Sequence, residues 1–131
     1  MDLHRSAARG LEILLERLRG GALFVPPIPR LKVTEVAEVV APGCRQEVIG
    51  IRPGEKLHEI MITPDDALHT AEYDRHFVLQ PATSWWDRDR FLRETGGRAV
   101  AEDFQYSSDR NGDWLSREGL AEILKHEKIE L

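Results

Sequence analysis

The sequence predicts a small α/β unit, a mixed α+β arrangement of short elements, and three observations carry that prediction. Segments with helical spacing alternate with short β-rich runs in the order helix, strand, helix, strand, followed by short helices and strands. The length of 131 residues with 41% hydrophobic and 31% charged side chains fits one soluble globular domain with a core of its own. The strand-like runs are too few for a complete doubly wound sheet. The chain is therefore read as a single domain over residues 1–131.

Leu11, Leu14, Leu15 and Leu18 recur at helical spacing between charged residues, and Gly20-Gly21 stops the pattern, which predicts a helix over 3–19. Residues 22–25 form an apolar strand candidate. Pro26, Pro27 and Pro29 then remove ladder donors and force a loop or edge. Thr34 is expected to cap a second helix that buries Val36, Ala37, Val39 and Val40 and ends at Pro42-Gly43. A strand is expected over 47–51 and a short helix over 56–62. Thr63-Pro64-Asp65-Asp66 has the form of a helix opening, with threonine as cap and proline at the first position. Residues 73–79 read as a third strand stopped by Pro81, and 84–94 as a short helix carrying Trp85, Trp86 and Phe91 before a Gly96-Gly97 turn. Residues 104–107 read as extended, 109–113 as a turn, and 116–127 as a final helix capped by Ser116.

The formal net charge of −5, without a Lys/Arg-rich block, argues against sequence-independent nucleic-acid binding. Cys44 is the only cysteine, so no intrachain disulfide can form, and a reducing cytoplasm is the expected compartment. Residues 1–21 lack the apolar core and cleavage site of a secretory signal, and no run approaches the roughly 18 apolar residues of a membrane span.

The chemistry concentrates in residues 50–59. Arg52 offers a planar fork of donors suited to phosphate oxygens, and Glu55 can accept hydrogen bonds from a pair of ribose hydroxyls. Between them Pro53 presets φ and Gly54 tolerates a positive φ, which favours a type II turn presenting both flanking side chains. An exposed ion pair between Arg52 and Glu55 is the competing reading. Other motifs fail. The glycines never take the G-x-G-x-x-G spacing of a dinucleotide fold. Tyr73 and Tyr106 are followed four residues later by Phe77 and Arg110 where a short-chain dehydrogenase needs lysine. His58-Glu59 lacks the second zinc-protease histidine, its position being held by Ile62. Asp109, Asn111 and Asp113 mimic the start of a calcium loop, but the glycine is misplaced and Leu120 stands where the closing glutamate belongs, which favours an Asx-rich turn. No metal site is assigned. Trp85, Trp86 and Phe91 could stack on a base, although core or subunit contact is the preferred role.

Three separated segments occur in a recognisable order: Gly20-Gly21-Ala22-Leu23-Phe24-Val25-Pro26 with Ile28-Pro29; I-G-I-R-P-G-E-K-L-H-E from Ile49 to Glu59; and Phe104-Gln105-Tyr106-Ser107-Ser108-Asp109 with Trp114-Leu115-Ser116. In these the chain resembles the C-terminal part of the UDP-N-acetylglucosamine 4,6-dehydratases, in particular the inverting type that begins the pseudaminic acid pathway. The resemblance covers nearly the whole chain. It implies the substrate-binding portion of an extended short-chain dehydrogenase lacking its Rossmann half, where NADP and the catalytic residues reside. The family reaction oxidises the sugar at C4, eliminates water across C5 and C6, and returns hydride at C6 with inversion at C5. By the same resemblance Arg52 is the diphosphate ligand and Glu55 the ribose ligand, while Lys56 and His58 have supporting roles. Pro27 and Arg30-Leu31 depart from the lysine and Ser-Met of the family pattern. The expected partners are a UDP-sugar and a Rossmann half or separate catalytic subunit, with no catalytic residue and no cofactor in this chain, and a homo-oligomer is compatible with the same surface. The chain is accordingly expected to be one part of a larger enzyme, separated by excision, truncation or a split gene, and not catalytic alone. Two alternatives are a non-enzymatic association module and the C-terminal part of a related UDP-sugar 4-epimerase or reductase.

Overall fold

The computed structural model describes residues 20–127, so the helix expected over 3–19 lies outside the described residues. Strand β1 (Leu23–Val25) opens the described chain and leads into the proline-rich loop, as the missing ladder donors require. Helix α1 (Val33–Val40) begins earlier than expected. Lys32, and not Thr34, is its N-cap, and the Glu35 carboxylate three residues on accepts from the Lys32 N–H at 3.4 Å. Thr34 thus sits inside the first turn. Val36, Ala37 and Val39 are half-buried, whereas Val40 is exposed.

Residues 44–51 form no strand. Gly50 has φ +83°, the segment is exposed throughout, and no neighbouring strand among the described residues supplies a ladder. The helix expected over 56–62 is also absent, and its end is instead strand β2 (Ile60–Ile62), with Ile62 fully buried. Antiparallel pairing with Tyr106 and Ser107, not local helical spacing, decides this segment.

Helix α2 (Pro64–Ala67) carries the expected cap: the Thr63 hydroxyl accepts from the Asp66 N–H at 3.2 Å and donates to Asp66 Oδ2 at 2.7 Å. That hydroxyl, followed by the Thr63 N–H, holds the Asp66 carboxyl below its ordinary 3.8. A depressed carboxyl stabilises the fold above its unfolded pKa and loses that contribution as pH falls through its folded one. Thr63→Ala should therefore cost about 1 kcal/mol near neutrality. In urea denaturation the gap from the parent chain should narrow below about pH 4.

The strand expected over 73–79 proves to be a hairpin. Strands β3 (Thr70–Tyr73) and β4 (His76–Leu79) pair antiparallel across Asp74-Arg75, with Ala71 opposite Val78 and Tyr73 opposite His76. Two short strands bury Ala71 and Val78 against one another, whereas a single strand would leave Thr70 and Ala71 without a partner. Helix α3 (Arg88–Thr95) starts at Asp87, whose carboxylate accepts from the Arg90 N–H at 2.8 Å, and Gly96 ends it at φ +73°. Strand β5 (Arg98–Ala99) follows, then β6 (Tyr106–Ser107) and helix α4 (Arg117–His126), capped by Ser116 as expected.

The main sheet has the order β1-β4-β3-β5 with antiparallel neighbours, and β2 pairs with β6 in a separate ribbon. Strand alternation divides the side chains between two faces. On one face Ala71, Val78 and Phe91 from α3 form the core, with Phe24, Trp86 and Leu92 against it. On the other, Phe77 meets Phe104 and Tyr106 at ring separations of 5.2 and 5.4 Å, which ties the sheet to the region of β6. Gly97 permits the packing of Tyr73, since a Cβ there would stand 2.6 Å from the ring, and the Tyr73 hydroxyl bonds Thr95 Oγ1 at 2.6 Å. Helix α1 lies against α4, where Arg117 pairs with Glu38 and with Glu35.

Candidate functional site

Residues 52–55 form a β-turn closed by the Glu55 N–H donating to the Arg52 carbonyl at 3.0 Å, with Gly54 in the third position at φ +87°. A proline second and a positive-φ glycine third give the expected type II turn. The turn brings both sequence-identified residues together. Arg52 Nε donates to Glu55 Oε1 at 2.7 Å, and the Arg52 backbone N–H donates to Glu55 Oε2 at 2.8 Å. The side chains are 76% and 42% exposed. The competing expectation, an exposed ion pair, thus describes the free turn. Nothing in that pairing consumes the terminal Nη atoms of Arg52, which have no partner among the described residues.

The chain leaving the turn is anchored at Glu59. Its carbonyl accepts from the Ser108 N–H at 2.9 Å and its N–H donates to Ser108 Oγ at 3.0 Å. Just beyond, β2 pairs with β6. The proline-rich loop reaches the same place from the other end of the chain. The Tyr106 hydroxyl accepts from the Ile28 N–H at 2.9 Å and donates to its carbonyl at 3.1 Å, and Asn111 Nδ2 donates to that carbonyl at 2.7 Å. Arg30 donates from Nη1 to the Ser108 carbonyl at 2.7 Å and lies 3.9 Å from the centre of the Trp114 ring, in cation–π contact. Arg30 and Trp114 also bridge through their backbones, with Arg30 N–H to Asp113 at 2.8 Å and Leu115 N–H to Arg30 at 2.8 Å. All three sequence segments that carry the resemblance therefore converge along residues 106–115.

Sequence reasoning missed these organisers. Tyr106, Ser108, Asn111 and Arg30 bond mostly to backbone, so residue type alone gave them no role. Their signal was the recurrence of intact segments in order. Asp109 belongs to the same bend, where the Ser107 hydroxyl donates to its carboxylate and holds its pKa down, with smaller help from His58 and Arg110. The Asp113 N–H bonds Asn111 Oδ1 at 2.9 Å, which makes 109–113 the expected Asx-rich turn.

Lys56 and His58 are exposed on the loop after Arg52. Trp86 packs on Phe91 with ring centres 5.3 Å apart and belongs to the core, while Trp85 is mostly exposed. The groove at the β3–β4 hairpin, lined by Tyr73, His76, Thr95 and Arg98 among others, contains neither Arg52 nor Glu55. Among the described residues no group of three His, Cys, Asp or Glu is placed to hold a metal ion, and no helix is long and apolar enough to cross a membrane.

The described residues do not fit a dinucleotide. The positive-φ glycines are Gly21, Gly43, Gly50, Gly54 and Gly96, and none joins the end of a strand to the start of a helix, where a pyrophosphate cradle has to lie. The sequence flanking Arg52 exposes several large apolar side chains among its charged ones. Val48 is 92%, Ile49 77% and Leu57 74% exposed, with Ile51, Ile60 and Met61 beside them in sequence.

A family described as polysaccharide biosynthesis protein matches residues 7–81. The chain is 42% identical over 115 residues to the inverting UDP-N-acetylglucosamine 4,6-dehydratase of Campylobacter jejuni serotype O:2, and 41% identical over 115 residues to that of serotype O:23/36. Each alignment covers 85% of this chain and 34% of the relative, so the chain spans about a third of the length of the curated relatives it matches. The backbone is also similar to the X-ray structure of Pen from Bacillus thuringiensis, with a TM-score of 0.66 and 20% identity over 99% of this chain and 38% of that one, a likeness of fold.

Proposed function

The chain belongs to the polysaccharide biosynthesis protein family, and from that premise we propose that it is the nucleotide-sugar-binding part of a UDP-N-acetylglucosamine 4,6-dehydratase. Arg52 binds the diphosphate and Glu55 the ribose hydroxyls. The observation that carries this reading is the type II turn, which holds a guanidinium at the surface with its terminal nitrogens unengaged among the described residues. Likeness to the inverting relatives supports inversion at C5, and we extend the reading to a place in surface-glycan synthesis by way of pseudaminic acid, with the cytoplasm as the compartment in which nucleotide sugars would reach it. We assign NADP and the acid–base residues to polypeptide outside this chain, a reading supported for the cofactor by the lack of a pyrophosphate cradle among the described residues. When bound there, NADP supplies hydride acceptance and return. This chain's task is to fix the diphosphate and ribose so that the sugar is presented to that chemistry.

The chain alone should give no turnover of UDP-N-acetylglucosamine with NADP in a coupled product assay. Turnover by the purified 131-residue protein would overturn the division of labour. The exposed apolar stretch favours a second reading, association with another polypeptide through residues 48–61. Concentration-dependent sedimentation without affinity for UDP would favour an association module over a substrate-binding domain.

A further inference from the structure

We propose that Glu55 is a positioning residue for Arg52: it locks the guanidinium so that its Nη1/Nη2 edge forms the phosphate-binding face. The inference rests on the proposed function, since it assigns a second role within the same turn. An arginine guanidinium has two edges that can engage an oxyanion with a pair of donors, one made by Nε with one Nη and the other by both Nη atoms. In the free turn the first edge is taken, because Glu55 Oε1 accepts from Nε at 2.7 Å. The other oxygen accepts from the Arg52 backbone N–H at 2.8 Å, so one carboxylate grips the residue at both ends of its side chain. Closure of the turn by the Glu55 N–H at 3.0 Å and the positive φ of Gly54 fix the distance between them.

Two consequences follow from that grip. A long side chain that is 76% exposed is ordered before ligand arrives, which lowers the entropy lost on binding. The free edge is also the one that can meet two oxygens of a diphosphate at once. A carboxylate offers about four acceptor positions, so two bonds to Arg52 leave room for ribose hydroxyls on the same group. Positioning and ribose recognition are therefore compatible, but they make opposite predictions for a ligand without ribose.

Inorganic pyrophosphate is that ligand, and Glu55→Gln is the informative variant. An acidic neighbour with no positioning role repels pyrophosphate, so its neutralisation should strengthen binding. A positioning residue gives the reverse: Glu55→Gln should bind pyrophosphate roughly 2- to 12-fold more weakly in spite of the lost repulsion. Pyrophosphate and UDP would be titrated into the full chain, its Arg52→Ala variant and Glu55→Gln, followed by phosphorus and nitrogen NMR at millimolar ligand. The Arg52 Nε–H resonance supplies a readout independent of ligand. It should be resolved and protected from water exchange in the parent chain, and merge with the other arginine side chains in Glu55→Gln. Unchanged or tighter pyrophosphate binding by Glu55→Gln, with weaker UDP binding, would overturn positioning while leaving the phosphate reading intact. Absence of pyrophosphate binding to the parent chain, or an Arg52→Ala variant that binds it equally well, would remove the phosphate reading and the inference with it. A thermal melt of Glu55→Gln matching the parent establishes that the exposed substitution leaves the fold in place.

Discussion

Replacing Arg52 by alanine is expected to weaken UDP binding roughly 10- to 150-fold, the equivalent of about 1.5 to 3 kcal/mol for a hydrogen-bonded charged group. The loss arises at the phosphates, so uridine without phosphate should bind the variant and the parent alike. Arg52 lies on an exposed loop and packs against no core residue, which means its removal should leave the unfolding transition unchanged. Arg45, also exposed, is the control, and its replacement should have no effect on UDP. Calorimetric titration of UDP into each variant, alone and mixed with polypeptide that completes the length of the relatives, measures the difference. Equal affinities for the parent and Arg52→Ala would remove Arg52 from the site.

The second large effect belongs to the core. Phe91→Ala should lower stability by about 3 to 5 kcal/mol, the cost of a cavity left by a deleted ring. The buried cluster around it is small, consisting of Ala71 and Val78 from the hairpin with half-buried Ala22, Phe24, Tyr73, Trp86 and Leu92 at its border. Few side chains are therefore available to collapse into the space. Trp86 would lose its ring contact, although its Nε1 still donates to Gln80 Oε1 at 3.1 Å. Against a total stability of about 5 to 15 kcal/mol, such a loss leaves a large unfolded fraction. Trp85→Ala removes a still larger aromatic side chain from the surface and should change the urea midpoint little.

Local chemistry made part of this fold legible in sequence. The caps at Thr63 and Ser116, the glycine stop after α3 and the Pro53-Gly54 turn each depend on residues within a few positions of one another. The errors arise where distant partners decide. Residues 73–79 contain the turn Asp74-Arg75, yet only the pairing of Ala71 with Val78 reveals a hairpin. Residues 47–51 have the composition of a strand but lack a ladder partner among the described residues. The helix expected over 56–62 gave way to β2 because Ser107 and Tyr106 lie opposite Ile60 and Ile62.

The candidate site shows the same division. Arg52 and Glu55 could be named together because a four-residue turn joins them. The residues bracing the neighbouring chain could not, since Tyr106 recognises Ile28 through backbone atoms and Ser108 recognises Glu59 in the same way. Backbone recognition leaves little trace in residue type. Family membership supplied what pattern reading lacked, namely that three short segments belong together.

The bonds between Tyr106 and Ile28 close a loop of 78 residues, whereas the β3–β4 pairing closes across two. Bringing the ends of so long a loop together costs about 4 kcal/mol of chain entropy when nothing between them is ordered. Once the hairpin and α3 have condensed, most of that intervening chain is already compact and the remaining cost is far smaller. The order of assembly is thereby biased: local pairing comes first, and the junction of residues 28–30 with 106–115 is made when the sheet exists to bring them near. Residues 106–115 have to emerge from synthesis before that junction can form at all, so the brace beside the Arg52 turn is completed after the hairpin that precedes it in the chain.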